Sequence, residues 1–288
     1  MLGQFLITFR EVLEAAIIVA IIIAYLKRTG REKQVRDVWI GVGLSAFASI
    51  ALGGAILTIY GGLREKELFE GIASYLAVIV LTSMIYWMAT KGKNLKAEIE
   101  RKVSQAINPW ALIVFTFIVV FREGLETVLF LTPFATQDLS GTFLGLILGS
   151  AGALVLAYAI YGIGMKINLR TFFYYSSILL IFVAAGLLGY GTHELIEFAE
   201  EEGVSLGWFA QTAYDLGIPK ESIWSHKGAI GSIFAVLFGY STKMEWGRVI
   251  LQLGYLIFGL YLVLKAYKKE PKISLQRQRG VLKEGTAE

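Results

Sequence analysis

The chain contains no cysteine, which excludes disulfides and every thiolate metal site. Charge is scarce too: Asp, Glu, Lys and Arg make up 17% of the 288 residues, while 56% are hydrophobic and the mean hydropathy is +0.61. A soluble domain carries about a quarter charged residues, so this composition excludes that class and points to an integral membrane protein. Neither of the two histidines lies deep in an apolar run. No G-x-S-x-G or H-E-x-x-H pattern is present, which removes the usual signatures of hydrolases. The formal charge of +4 and pI near 9.0 do not indicate a nucleic-acid partner, because the basic residues stand where a membrane protein places them. The N-terminus has no Lys or Arg before its apolar run and no small-residue cleavage site, so it reads as a retained first helix and not a signal peptide.

What the sequence does have is apolar runs. A bilayer's hydrocarbon core takes roughly 20 residues of helix, and runs of that kind lie near 3–26, 39–60, 71–90, 109–134, 142–165, 172–192 and 246–264. The expected fold is therefore all-α, with seven transmembrane helices. Lys27, Arg28, Arg31, Lys33 and Arg36 follow the first run; Lys91, Lys93, Lys96, Arg101 and Lys102 follow the third; Lys166 and Arg170 follow the fifth, and the tail adds Lys265, Lys268, Lys269, Lys272, Arg277, Arg279 and Lys283. Positive connections face the cytoplasm, so the N-terminus is expected outside and the C-terminus inside, in the cell membrane. The stretch 229–245 reads as a short outer or partly inserted segment before the last span.

Into this apolar background the chain places "FREVLE" at Phe9 to Glu14 and "FREGLE" at Phe121 to Glu126. Each charge at the centre of a membrane helix costs about 2.5–3.5 kcal/mol on insertion scales, so both motifs require a reason. Residues three and four apart share a helix face: Glu11 projects with Glu14 and Glu123 with Glu126, while Arg10 and Arg122 are spaced to pair with Glu14 and Glu126. A simple clamp between helices needs one acid per arginine, and each motif has two. The surplus acids suit a multivalent cation, and carboxylate oxygen selects a hard one: iron, manganese, calcium or magnesium.

The motifs lie 112 residues apart, Arg10 to Arg122, and each opens a group of three spans. Three spans per group turn the second copy upside down, giving a 3+3 inverted-topology repeat plus a seventh helix. The expected divisions are 1–90 and 109–192 for the two repeats, 193–228 for an external acidic loop, 229–266 for the short outer segment and seventh helix, and 267–288 for a basic cytoplasmic tail. Small-residue rows Ser45, Ser49, Gly53 and Gly141, Gly145, Gly149, Ala153 fit close helix packing in lipid. A second acidic group stands at the outer ends of the spans: Glu67 and Glu70, then His193, Glu194, Glu197, Glu200 and Glu201. Glu70, His193, Glu194 and Glu197 are the further candidate metal ligands there.

The doubled R-E-x-x-E in the first and fourth of seven spans, with "FEG" at Phe69 to Gly71, "HELIE" from His193 and "FGY" from Phe238, resembles the iron permease family, the oxidase-dependent ferric iron transporters of fungi and their bacterial and archaeal relatives. The resemblance runs from Gln4 to about Tyr267. It implies iron as transported substrate, no cofactor and no enzymatic activity, with Glu11, Glu14, Glu123 and Glu126 as iron ligands and Arg10 and Arg122 as their ion-pair partners. It also implies a separate extracytoplasmic partner, an iron oxidase, a reductase or an iron-delivery protein. The alternatives are a transporter of another divalent metal, lead or manganese, and an intramembrane enzyme using the paired carboxylates.

Overall fold

The computed structural model describes residues 1–91, 95–106, 108–162, 169–219, 222, 231, 234–235 and 239–268. Helices dominate: α1 (Leu2–Arg28), α2 (Val35–Gly62), α3 (Lys66–Lys91), α4 (Leu95–Gln105), α5 (Pro109–Gln137), α6 (Leu139–Tyr161), α7 (Leu169–Glu201) and α8 (Trp246–Lys268), with one two-stranded antiparallel sheet, β1 (Thr212–Asp215) and β2 (Lys243–Glu245). The helix ends follow local chemistry. After α1, Gly30 takes φ 72° and the Arg31 N–H donates to the Leu26 carbonyl at 2.8 Å, a glycine-terminated stop. Asn108 accepts from the Ala111 N–H at 2.7 Å with Pro109 in the first turn of α5. Asp138 alone joins α5 to α6, donating its N–H to the Phe134 carbonyl and capping α6 through the Gly141 N–H at 2.9 Å.

Five helices are long and apolar enough to cross a bilayer: α2, α3, α6, α7 and α8. The helices α1 and α5, at 27 and 29 residues, have the length but carry the motif charges at mid-helix. The burial pattern is that of a protein in lipid. Phe47 and Ile50 are 73% and 75% exposed, whereas Arg10, Glu11 and Glu123 are buried. Charge inside and hydrocarbon outside is the arrangement a bilayer imposes.

Three helix pairs make the body: α1 on α6, α2 on α5 and α3 on α7, with α8 laid against α7 and α3, and α1 touching α5 at the centre. The small-residue rows lie in the first two pairs. A Cβ on Gly41 of α2 would stand 2.8 Å from the Ile113 carbonyl oxygen, 2.8 Å from Thr116 Cβ and 3.2 Å from Phe117 N. A Cβ on Gly145 of α6 would stand 3.2 Å from the Met1 carbonyl oxygen, 2.6 Å from Gln4 Cβ and 3.1 Å from Phe5 N. Ile113, Thr116 and Phe117 follow Met1, Gln4 and Phe5 by the same 112 positions that separate Arg122 from Arg10. One backbone-to-backbone contact thus occurs at corresponding atoms of two helix pairs. The α3–α7 pair is close as well, since a Cβ on Gly191 would meet Ser74 Cβ at 2.7 Å.

Three features go beyond the sequence reading. The segment from His193 to Glu201 continues α7 as its last turns, so the acids there have fixed helical spacing. The 91–108 connection contains α4, whose Ile99 and Val103 are buried and whose end is held by Arg31, with Nη1 donating to the Val103 carbonyl at 3.2 Å. Beyond the acidic turns, β1 pairs with β2 and ties residues 212–215 to the start of α8. Most of 220–238, including Phe238 of the "FGY" stretch, and the basic tail from 269 lie outside the described residues.

Candidate metal centre

On α1, the face that carries Ile7, Arg10, Glu11 and Glu14 turns inward; on α5, Glu123 and Glu126 turn toward it. Both i, i+4 ion pairs form: Arg10 Nη2 to Glu14 Oε1 at 3.1 Å and Arg122 Nε to Glu126 Oε1 at 3.0 Å. Arg10 Nη1 also reaches Glu11 Oε1 at 3.0 Å, and Arg122 Nε lies 3.6 Å from Glu123 Oε1. The two helices bring Glu11, Glu123 and Glu126 together, with one carboxylate oxygen from each lying within 4.8 Å of the others. Glu14 is the fourth acid, buried beside them on the Arg10 side.

The cluster is rich in acceptors and poor in donors. One buried oxygen each of Glu11, Glu123 and Glu126 has no hydrogen-bond donor. Four carboxylates against two guanidiniums leave two negative charges when all are ionised. Buried charges persist only when paired or bound to metal and are otherwise neutralised by a proton, so this set could hold a cation of charge two or more, and all its ligand atoms are hard oxygens.

Two side chains of α3 complete the surroundings, and neither was singled out from the sequence. Arg10 Nη1 donates to Met84 Sδ at 2.9 Å; the Arg122 guanidinium carbon sits 5.2 Å from the centroid of the Trp87 ring. Their i, i+3 spacing in "MIYWM" puts both on one helix face, a pattern that in an apolar span signals only packing. A cavity of about 530 Å³ reaches the cluster from one direction, lined by Glu14, Trp87, Val119, Arg122 and Glu123 and extending to Glu98 of α4. One turn beyond the motifs on the other side, Ile7, Leu81 and Phe130 are fully buried in a common core.

The remaining candidates form a separate group. Glu70 lies 14 residues before Met84 on α3, about 21 Å along the helix, so it does not join the central acids. It is buried and accepts the hydroxyls of Tyr60 from α2 and Tyr190 from α7. His193, Glu194 and Glu197 offer ligand atoms within 4.8 Å of one another. His193 Nδ1 lies 3.2 Å from Glu245 Oε1 and its Nε2 3.9 Å from Glu197 Oε2. Burial acts to raise the Glu245 carboxyl pKa, but the hydrogen bond from His193 and the charges of His193 and Arg248 hold it below the ordinary carboxylate value. Sequence reasoning missed Glu245, which stands fifty-odd residues from its partner and reaches it only through the β1–β2 pairing.

A bundle with an apolar exterior and a buried cluster of acids and arginines defines a multi-pass helical membrane protein. Within that class, the sequence model of the iron permease FTR1 family matches residues 1–265, and the chain belongs to that family. A protein of Archaeoglobus fulgidus described as "Uncharacterized protein" is 50% identical over 93% of this chain and 96% of its own length. The ferrous iron permease EfeU of an Escherichia coli O6:K15:H31 strain is 38% identical over 98% of this chain and all of its own. EfeU of Yersinia pestis is 38% identical over 91% of this chain and 93% of its own. No solved structure matches the chain.

Proposed function

We propose that the chain is a cell-membrane permease that carries iron ions inward through the glutamates of its two R-E-x-x-E motifs. The observation that carries this reading is the convergence of Glu11, Glu123 and Glu126 within 4.8 Å, each retaining a buried oxygen without a donor. Glu14 is the fourth ligand, and Arg10 and Arg122 hold the acids in place between passages. Ferrous iron is the form in the names of the E. coli and Y. pestis relatives, and an all-oxygen site accepts it. Glu70, His193, Glu194 and Glu197 serve as the outer capture group, supplied by a separate extracytoplasmic oxidase, reductase or delivery protein.

In this reading α1 and α5 also span the bilayer, which makes seven crossings with the N-terminus outside and the C-terminus inside. The two halves, α1–α3 and α5–α7, are inverted copies. The matched contacts at Gly41 and Gly145 support that relation, because an inverted pair of triplets converts the α2–α5 contact into the α6–α1 contact. The cavity then opens to the cytoplasmic side, where α4 lies.

The test is radioactive iron uptake into proteoliposomes, with ferrous and ferric supply run separately and lead and manganese as competitors, for the wild type, Glu11→Gln and Glu123→Gln. Saturable uptake lost in both variants at equal protein levels is the expected result. Uptake that survives both substitutions would reduce the motifs to helix clamps.

A further inference from the structure

The two motifs share a sequence, yet their arginines have different surroundings. The Arg10 side chain is 1% exposed and the Arg122 side chain 46%. Arg10 is enclosed by Glu11, Glu14 and the Met84 thioether. Arg122 stands on the cavity wall with Trp87 beside it. Of the two guanidiniums, that of Arg122 is the one exposed on a cavity wall next to the acids.

That difference matters when a cation arrives. Arg122 Nε occupies Glu126 Oε1 at 3.0 Å and lies 3.6 Å from Glu123 Oε1, while the Oε2 atoms of both acids are free of donors; a metal ion that takes both oxygens of either carboxylate displaces the guanidinium. A guanidinium leaving two carboxylates stays on the cavity wall, where the Trp87 ring already lies beside it, and an indole face is the strongest cation–π acceptor among side chains. In the present geometry the guanidinium is divided. Its distance of 5.2 Å from the Trp87 centroid is toward the long end of the effective range of about 6 Å, because Glu126 holds the other end. Release from Glu126 lets the full charge settle on the ring, so the contact strengthens as the metal binds.

We propose that Trp87 is a positioning residue for cation binding: it takes the Arg122 guanidinium when Glu123 and Glu126 pass to the metal. This rests on the iron-pathway reading above. Trp87 touches no ligand oxygen in this mechanism and acts only through Arg122. Met84, one turn earlier on α3, does the opposite for Arg10, holding it against Glu11.

The experiment is anaerobic equilibrium dialysis of radioactive ferrous ion against the full chain in nanodiscs, for Trp87→Leu, Trp87→Phe, Arg122→Gln and the Trp87→Leu/Arg122→Gln pair. Trp87→Leu is expected to weaken binding about two- to fivefold, Trp87→Phe less, and the effect of Trp87→Leu is expected to vanish in the Arg122→Gln background, where nothing has to be reseated. If Arg122→Gln does not fold, Arg122→Lys replaces it, and the effect is expected to shrink because a compact ammonium lacks the planar face that stacks on indole. An equal loss in both backgrounds would assign Trp87 a packing role and overturn the proposal, as would no loss in the wild-type background. Glu126→Gln, run alongside, separates the two levels: unchanged binding there refutes the iron site itself, whatever Trp87 does.

Discussion

Replacing each motif arginine by glutamine should give two very different proteins. In Arg10→Gln the lost cation lay 3.0 Å from Glu11 and 3.1 Å from Glu14, in a position closed to water. Removing one partner of a buried ion pair costs about 3–5 kcal/mol, because the charge left behind has neither solvent nor partner. Arg122→Gln removes the same group from the same motif, but its side chain is 46% exposed on a cavity wall where water and counter-ions replace it. Its partners Glu123 and Glu126 are buried, so the loss is smaller than for a fully buried pair but larger than the about 0–1 kcal/mol of an exposed one. The expected gap is about 1–3 kcal/mol, a factor of roughly 5 to 150 in the folded-to-unfolded ratio.

The assay is denaturant titration of the purified variants in one detergent, following helix content and monomer recovery on size exclusion, with Arg10→Lys as a control. Lysine restores the charge without the fork that spans two carboxylates, so it should fall between wild type and Arg10→Gln. Equal losses for Arg10→Gln and Arg122→Gln, or a larger loss for Arg122→Gln, would refute the reasoning that burial separates these two copies of one motif.

Gly41→Ala and Gly145→Ala should each destabilise the bundle by about 1–3 kcal/mol through overpacking, and by similar amounts, since their added Cβ atoms meet corresponding backbone atoms; Gly43→Ala, which meets nothing within 4 Å, is the control in the same melting series. Glu245→Gln should loosen the attachment of β2 to α7 at neutral pH. The folded carboxyl titrates below its ordinary value of 4.5, so its stabilising contribution is fully present above that value and is lost as the pH falls through the lower folded one. Wild type and variant should accordingly differ in hydrogen exchange of β1 and β2 at pH 7, and the difference should shrink progressively as the pH is taken below 4.5; a difference that does not change with falling pH would mean the His193 contact is not its source.

What could be read in advance was whatever depends on one helix at a time. Arg10 with Glu14 and Arg122 with Glu126 are fixed by helical spacing, and both pairs form. The rows at Ser45, Ser49, Gly145 and Gly149 are legible because small side chains at i, i+4 have few other uses in lipid. Trp87, Met84, Tyr190 and Glu245 were not legible, because each becomes relevant only when a second or third helix delivers a partner from far along the chain. A tryptophan in an apolar span carries the same sequence signal whether it faces lipid or an arginine. The cavity is hidden for another reason: its wall at Val119 and its sealed counterpart at Ile7 are equally apolar residues in equivalent positions.

That last pair supplies a test of how the pathway works. Val119 is 112 positions after Ile7, so the two occupy matching places one turn before their motifs. Val119 lines the cavity, and Ile7 is 0% exposed. If the halves are inverted copies that exchange conformations during transport, the opposite state gives Ile7 the cavity and seals Val119, with access from the Glu70 side. The absence of native cysteine makes this measurable without background: Val119→Cys and Ile7→Cys in proteoliposomes, labelled with a membrane-impermeant maleimide supplied on each side in turn. At rest, Val119→Cys should react from the α4 side and Ile7→Cys from neither. During iron uptake, Ile7→Cys should begin to react from the other side as Val119→Cys slows. Continued uptake with Ile7→Cys still unreactive would rule out an exchange of the two halves and leave passage of the ion from carboxylate to carboxylate within one fixed arrangement.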